Sequence, residues 1–198
     1  MSDFFLILGF GATLGALLIW YPAARWRRGQ VERLKKSLES TQEMAIKLTA
    51  MDPLTGVFNR RRIFESLLVE HERAKRDHLP YAVLMVKPME FYKVTNIYGQ
   101  TVGDGLLRDI AKLCQSEARA TDIVGRWKGA TFAILCPGAD EAAAHVMAGR
   151  LLMRVENTNF SDVGRLTVGV GISVSEADYP DTADAALARA EAALRQYG

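Results

Sequence analysis

Cysteine is nearly missing from this chain: Cys114 and Cys136 are the two in 198 residues. They lack the close spacing of a zinc or redox motif, so the expectation is a pair of buried, reduced thiols rather than a disulfide scaffold. Repeats and low-complexity tracts are missing, which leaves one globular domain as the default for this length. An excess of one charge is missing as well, since 25 Lys and Arg stand against 23 Asp and Glu for a formal net charge of +2. Composition therefore gives no reason to expect a nucleic-acid polymer as partner. The small basic excess is local: residues 1–50 carry seven Lys and Arg against four Asp and Glu, and the remainder carries eighteen against nineteen.

Charge is wholly absent from Phe4 to Trp20. With Tyr21 this run approaches the roughly 20 residues that a bilayer core requires. Only Asp3 precedes it, while Arg25, Arg27 and Arg28 follow at once. A cleavable signal peptide has the opposite order, so residues 1–28 read as a retained transmembrane anchor with a basic flank suited to anionic lipids. The positive-inside rule then puts the N-terminus outside and the rest of the chain in the cytoplasm. The alternative is a soluble apolar helix. Gly11 and Gly15 form a GxxxG pair through which two anchors can pack. Residues 29–51 read as a helical stalk, with Val31, Leu34, Leu38, Thr41, Ala45 and Leu48 at coiled-coil spacing; a solvated single helix is the other reading.

Beyond the stalk, residues 52–198 alternate between helical and strand periods. Helices are expected at Arg60–Arg76, Val102–Glu117, Asp140–Val155 and Thr182–Tyr197, and strands at Tyr81–Val86, Asp122–Trp127, Thr131–Cys136 and Arg165–Ser175. A central hairpin among helices predicts an α+β fold, a mainly antiparallel sheet flanked by helices.

Five stretches carry a family resemblance. Asp52-Pro-Leu-Thr55-Gly-Val-Phe-Asn59-Arg60-Arg61 opens the domain. Phe91, Tyr98-Gly99-Gln100 and Gly103-Asp104 keep a fixed spacing, and Arg119-Ala-Thr-Asp122 ends six residues before Lys128-Gly129-Ala130-Thr131-Phe132. Together with Arg165-Leu-Thr-Val-Gly-Val-Gly-Ile-Ser and Ala183-Asp184-Ala-Ala-Leu187, they resemble the diguanylate cyclase (GGDEF) domain over about residues 50–198.

The resemblance implies a nucleotidyl-cyclase-like sandwich and two sites. In the family, two divalent cations held by carboxylates support the joining of two GTP molecules; the matching positions here are Lys87, Ala130 and Thr131. The first loop glycine is Lys128, and the phosphate-binding pair of the last helix is Glu191 and Arg195. The guanine-reading pair is Thr95 and Asp104. The expectation from this inventory is a chain that is not an enzyme, with no metal and no cofactor. A shifted register with Glu90 or Asp104 as ligand is the alternative. Lys87 and Glu191 are also expected to form an ion pair across the emptied pocket.

Arg119 and Asp122 match the family's Arg-x-x-Asp inhibitory site for cyclic di-GMP. A guanidinium donates to guanine O6 and N7, and a carboxylate accepts from guanine N–H groups. Arg150 or Arg154 is the nearest match to the family's additional arginine. The competing reading of Arg119 and Asp122 is an ordinary i,i+3 pair at a helix end. Arg126 is expected to serve the packing or charge balance of the hairpin.

The implied function is a catalytically inactive receptor for cyclic di-GMP, anchored in a bacterial inner membrane with its GGDEF domain in the cytoplasm. A homodimer, or a heterodimer with another GGDEF protein, fits stalk and domain. The alternatives are a nucleotide-free dimerisation module that regulates an active cyclase, and a residual cyclase.

Overall fold

The computed structural model describes residues 50–161, 163–176 and 182–197, together with Lys35. The chain divides into two compact units, residues 1–48 and 49–198. The expected anchor and stalk lie outside the described residues. Among the described residues, no helix is long and apolar enough to cross a membrane.

The second unit runs α1 (Arg60–Asp77), β1 (Tyr81–Pro88), α2 (Phe91–Tyr98), α3 (Gln100–Glu117), β2 (Ile123–Lys128), β3 (Thr131–Pro137), α4 (Glu141–Glu156), β4 (Val168–Ser175) and α5 (Ala183–Leu194), closing on a 3₁₀ turn, Arg195–Tyr197. Local chemistry marks the helix starts. Asn59 Oδ1 accepts from Arg62 N at 3.0 Å, Asp140 Oδ1 from Ala143 N at 2.8 Å, and Thr182 Oγ1 from Ala185 N at 3.1 Å. Each satisfies an amide that the first helical turn leaves open.

The four strands form one antiparallel sheet in the order β2-β3-β1-β4. Period-two alternation divides their side chains between two cores. Ala82, Leu84, Val86, Phe132 and Ile134 meet Leu106, Leu107 and Ile110 of α3 and Met147, Leu151 and Val155 of α4. Tyr81, Val83, Met85, Ala133 and Leu135 face α1 and α5 through Ile63, Leu67, Ala186, Leu187 and Ala190. Each fully buried large side chain contributes about 1.5–3 kcal/mol. β4 lies close under α5 because Gly171 has no side chain: a Cβ there would stand 2.3 Å from Ala190 O and Leu194 N.

This is the expected α+β sandwich, with three local differences. The strand begins at Val168 rather than Arg165 because β1 ends opposite it, at the pair Pro88 and Val168. The last helix stops at Leu194 and tightens into the 3₁₀ turn. Helix α2 was not expected; it has eight residues and buries only Val94, too little to show a helical period.

Candidate functional site

Helix α3 ends at Glu117, and Ala118 turns the chain into extended backbone. The next four residues make a tight reciprocal turn. Asp122 Oδ2 accepts from Arg119 N at 2.7 Å, and Asp122 N donates to Arg119 O at 3.0 Å. The ordinary i,i+3 ion pair does not form: the carboxylate binds the arginine's backbone, and among the described residues no carboxylate lies within 4.0 Å of the Arg119 guanidinium. Arg119, Asp122 and Arg150 rim one small hollow of about 20 Å³, floored by Cys136, Ala139, Ala143, Ala144 and Met147, so a ligand would lie across its mouth rather than inside it.

Arg150 is positioned from below. Its Nη2 donates to Glu117 O at 2.5 Å, and its Nε stands 3.3 Å from Glu117 Oε2. Arg154 meets the other oxygen of Glu117 at 3.9 Å and is not among the pocket's lining residues. The apolar floor raises the Cys136 thiol to about 12, first by burial and then by the nearby Asp122 charge, against a smaller opposing effect of Arg119. Burial takes Cys114 to about 12, against a smaller opposing effect of a backbone hydrogen bond. Both thiols are free and buried.

A second pocket, of about 270 Å³, is lined by Lys87, Trp127, Lys128, Thr131, Glu191, Leu194 and Arg195. The expected Lys87–Glu191 ion pair is not formed within 4.0 Å. Glu191 Oε1 instead accepts from Trp127 Nε1 at 2.5 Å, while Arg60 lies over the Trp127 ring at 4.5 Å from its centroid. A buried indole N–H requires an acceptor, whereas a half-exposed ammonium keeps its hydration, so the carboxylate goes to the indole. Ala130 sits at the turn of the β2–β3 hairpin, packed on the α3/α4 core.

Thr95 and Asp104 are not among the residues lining that pocket. Thr95 Oγ1 donates to Tyr92 O at 3.0 Å, and Asp104 accepts from Gln100 Nε2 at 2.8 Å. Glu90, the alternative ligand, pairs with Lys93 at the surface. Among the described residues, no group of three or more His, Cys, Asp or Glu is placed to hold a metal ion.

Sequence reasoning missed the contacts that join these parts. Arg126 Nε donates to Gly129 O at 2.9 Å, across the hairpin turn, and its Nη1 lies 3.3 Å from Asp52 Oδ1. The same Asp52 oxygen accepts from Thr55 N at 2.9 Å and Thr55 Oγ1 at 2.7 Å. Arg126 thus serves the hairpin as expected, and it also clasps the opening turn of the domain. Glu117 and Trp127 carried no motif, and their partners lie 33 and 64 residues away.

Comparison with known proteins places this geometry. Residues 49–198 match the family described as diguanylate cyclase, GGDEF domain. The chain is 30% identical over 128 residues to diguanylate cyclase DgcM of Escherichia coli, covering 63% of this chain and 30% of that protein. The structure of diguanylate cyclase SiaD in complex with its activator SiaC, from Pseudomonas aeruginosa, is similar with TM-score 0.67 and 28% identity over 98% of this chain and 76% of that one. A solved microbial GGDEF domain interacting with cyclic di-GMP is similar with TM-score 0.65 and 25% identity over 74% of this chain and 88% of that one. The chain spans 28 to 37% of the length of curated relatives it matches.

These comparisons correct one expectation, that the chain is not an enzyme. The family is enzymatic, and the E. coli and P. aeruginosa relatives are named diguanylate cyclases. The inventory at Lys87, Ala130, Thr131 and Glu191 counted ligands for one arrangement of metal and phosphate, and such a count does not measure turnover.

Proposed function

Because this chain belongs to the diguanylate cyclase GGDEF domain family, we propose that it is a receptor for cyclic di-GMP, taking the ligand at Arg119, Asp122 and Arg150. The observation that carries this reading is the shared pocket of those three side chains. The Arg119 guanidinium, with no carboxylate partner among the described residues, is available to donate to guanine O6 and N7. Asp122 spends Oδ2 on the turn, and its carboxylate faces the pocket as an acceptor for guanine N–H groups. Arg150 adds a second cation for the phosphates. Residues 1–28 anchor the chain in the inner membrane, the domain lies in the cytoplasm, and the liganded state is passed on through contacts with a second GGDEF protein or another copy.

The test is calorimetric titration of cyclic di-GMP into the full chain in detergent micelles, beside Arg119→Ala, with turnover of GTP and magnesium measured on the same preparations. Saturable binding weakened at least about tenfold by the substitution supports the receptor; each charge-assisted bond lost is worth about 1.5–3 kcal/mol. No heat from either protein overturns it.

A further inference from the structure

The two edges of the sheet are unequal. Phe58 covers the β2 edge: it bridges Gly125, its amide donates to Val124 O at 3.2 Å, and its carbonyl accepts from Arg126 N at 2.7 Å. Among the described residues, no backbone pairs with the outer edge of β4. The strand itself carries none of the usual sequence protections of an edge. Val168–Ser175 contains no charge and no proline, and it pairs with β1 over its whole length without a bulge.

The outer row of backbone groups can be assigned. Val174 O accepts from Arg189 Nη2 at 3.1 Å rather than serving β1 alone, and alternation along an antiparallel strand then turns Val170 and Ile172 outward as well. These residues floor a groove of about 750 Å³. One wall carries Glu141 and His145 of α4; the other carries Arg189 and Ala193 of α5 and Tyr197 of the terminal turn. Ser173 also lines it, and its Oγ is a buried hydroxyl with no hydrogen-bond partner among the described residues.

We propose that this groove takes an extended segment of a partner polypeptide as a fifth strand, with apolar residues at alternate positions and Lys or Arg at its ends. Main-chain bonding supplies affinity in strand addition, and pockets for alternate side chains supply selectivity. Walls flank the edge on both faces of the sheet, and an added strand would lie about 4.8 Å from β4 between them. A second copy would bring its own overhanging helices to the same place, so a single strand is the better fit. The basic ends follow from the exposed Glu141 and Glu176 on the rim. Of the groove's other polar groups, His145 stands 3.9 Å from Glu141, and Arg189 donates to the edge carbonyl of Val174, a bond that an incoming amide would replace.

The experiment uses the full chain in detergent micelles and a labelled probe peptide, acetyl-Lys-Val-Thr-Val-Thr-Val-Lys-amide. Its partners are a Glu-ended version and a version N-methylated at alternate amides. Fluorescence anisotropy should give saturable binding of the Lys-ended peptide, weakened at least about tenfold by either change. The double substitution Glu141→Lys, Glu176→Lys should reverse the preference between Lys and Glu ends; both sites are exposed, so folding is spared. Ile172→Pro removes an outward amide, leaves the β1 ladder in place, and should abolish binding. Equal binding of all three peptides, or none to millimolar concentration, overturns the proposal. Self-association that Ile172→Pro removes, without peptide binding, assigns the edge to a second copy and also overturns it.

Discussion

Trp127 and Glu191, 64 residues apart, are joined by an indole-to-carboxylate hydrogen bond of 2.5 Å that fastens β2 to α5. Glu191→Ala leaves a buried indole N–H without its acceptor and should cost about 1–3 kcal/mol. Glu191→Gln keeps an acceptor and should cost less. Lys87→Ala, with no ion pair to lose, should fall within about 0.5 kcal/mol of the parent. Urea unfolding followed by tryptophan fluorescence checks all three; a Lys87→Ala loss as large as that of Glu191→Ala would restore the ion pair.

Asp52 serves two masters, the Thr55 turn and the Arg126 guanidinium. Asp52→Ala should therefore destabilise by about 2 kcal/mol, in the upper range for a lost cap. Asp52→Asn keeps the turn and loses the charge, for about half that cost. Thermal unfolding of the two variants separates these contributions.

Arg150 should matter to ligand more than to folding. Arg150→Ala is expected to weaken cyclic di-GMP about 10- to 100-fold, as lost charge-assisted bonds would. The exposed pair with Glu117 contributes about 0–1 kcal/mol to stability. Calorimetry for binding and a thermal melt for stability test the two halves; equal binding by variant and parent would remove Arg150 from the site.

Both thiols should resist alkylation. With burial holding Cys114 and Cys136 near 12, against 9.0 for an ordinary thiol, neither is a thiolate at pH 8. Iodoacetamide should label them only on unfolding, as mass spectrometry would show. The folded values are raised, so the stability they contribute is intact below pH 9 and is lost as pH rises from 9 toward 12. There the unfolded thiols release protons first, at about 1.4 kcal/mol per pH unit for each. Denaturation midpoints at pH 8 and pH 10 measure it, and Cys136→Ala should reduce the slope.

The sequence made the sheet and its long helices readable because their signals are local. The uninterrupted apolar runs of β1 and β3 need no knowledge of partners. Helix α2 escaped because eight residues with one buried side chain show no period, and Glu90 starts it from a left-handed conformation with φ of 59°. Arg119 and Asp122 were legible as a pair from their spacing, but not which atoms meet, since a carboxylate three positions along a turn reaches a backbone amide as readily as a guanidinium. Lys87 and Glu191 do share a pocket, as their positions suggested. The winning partner came from across the hairpin, where no spacing rule reaches.

The clasp between Asp52 and Arg126 has a kinetic meaning. Its halves are separated by 74 residues, and Gly129, which holds Arg126 from the other side, comes later still. During synthesis the opening turn emerges first and waits, its aspartate occupied only by Thr55, until the β2–β3 hairpin has been made. Closing a loop of that length carries an entropic charge that local helices do not. The first residues of the domain are thus secured only once the hairpin has been made, and the start of the fold is fixed by its middle.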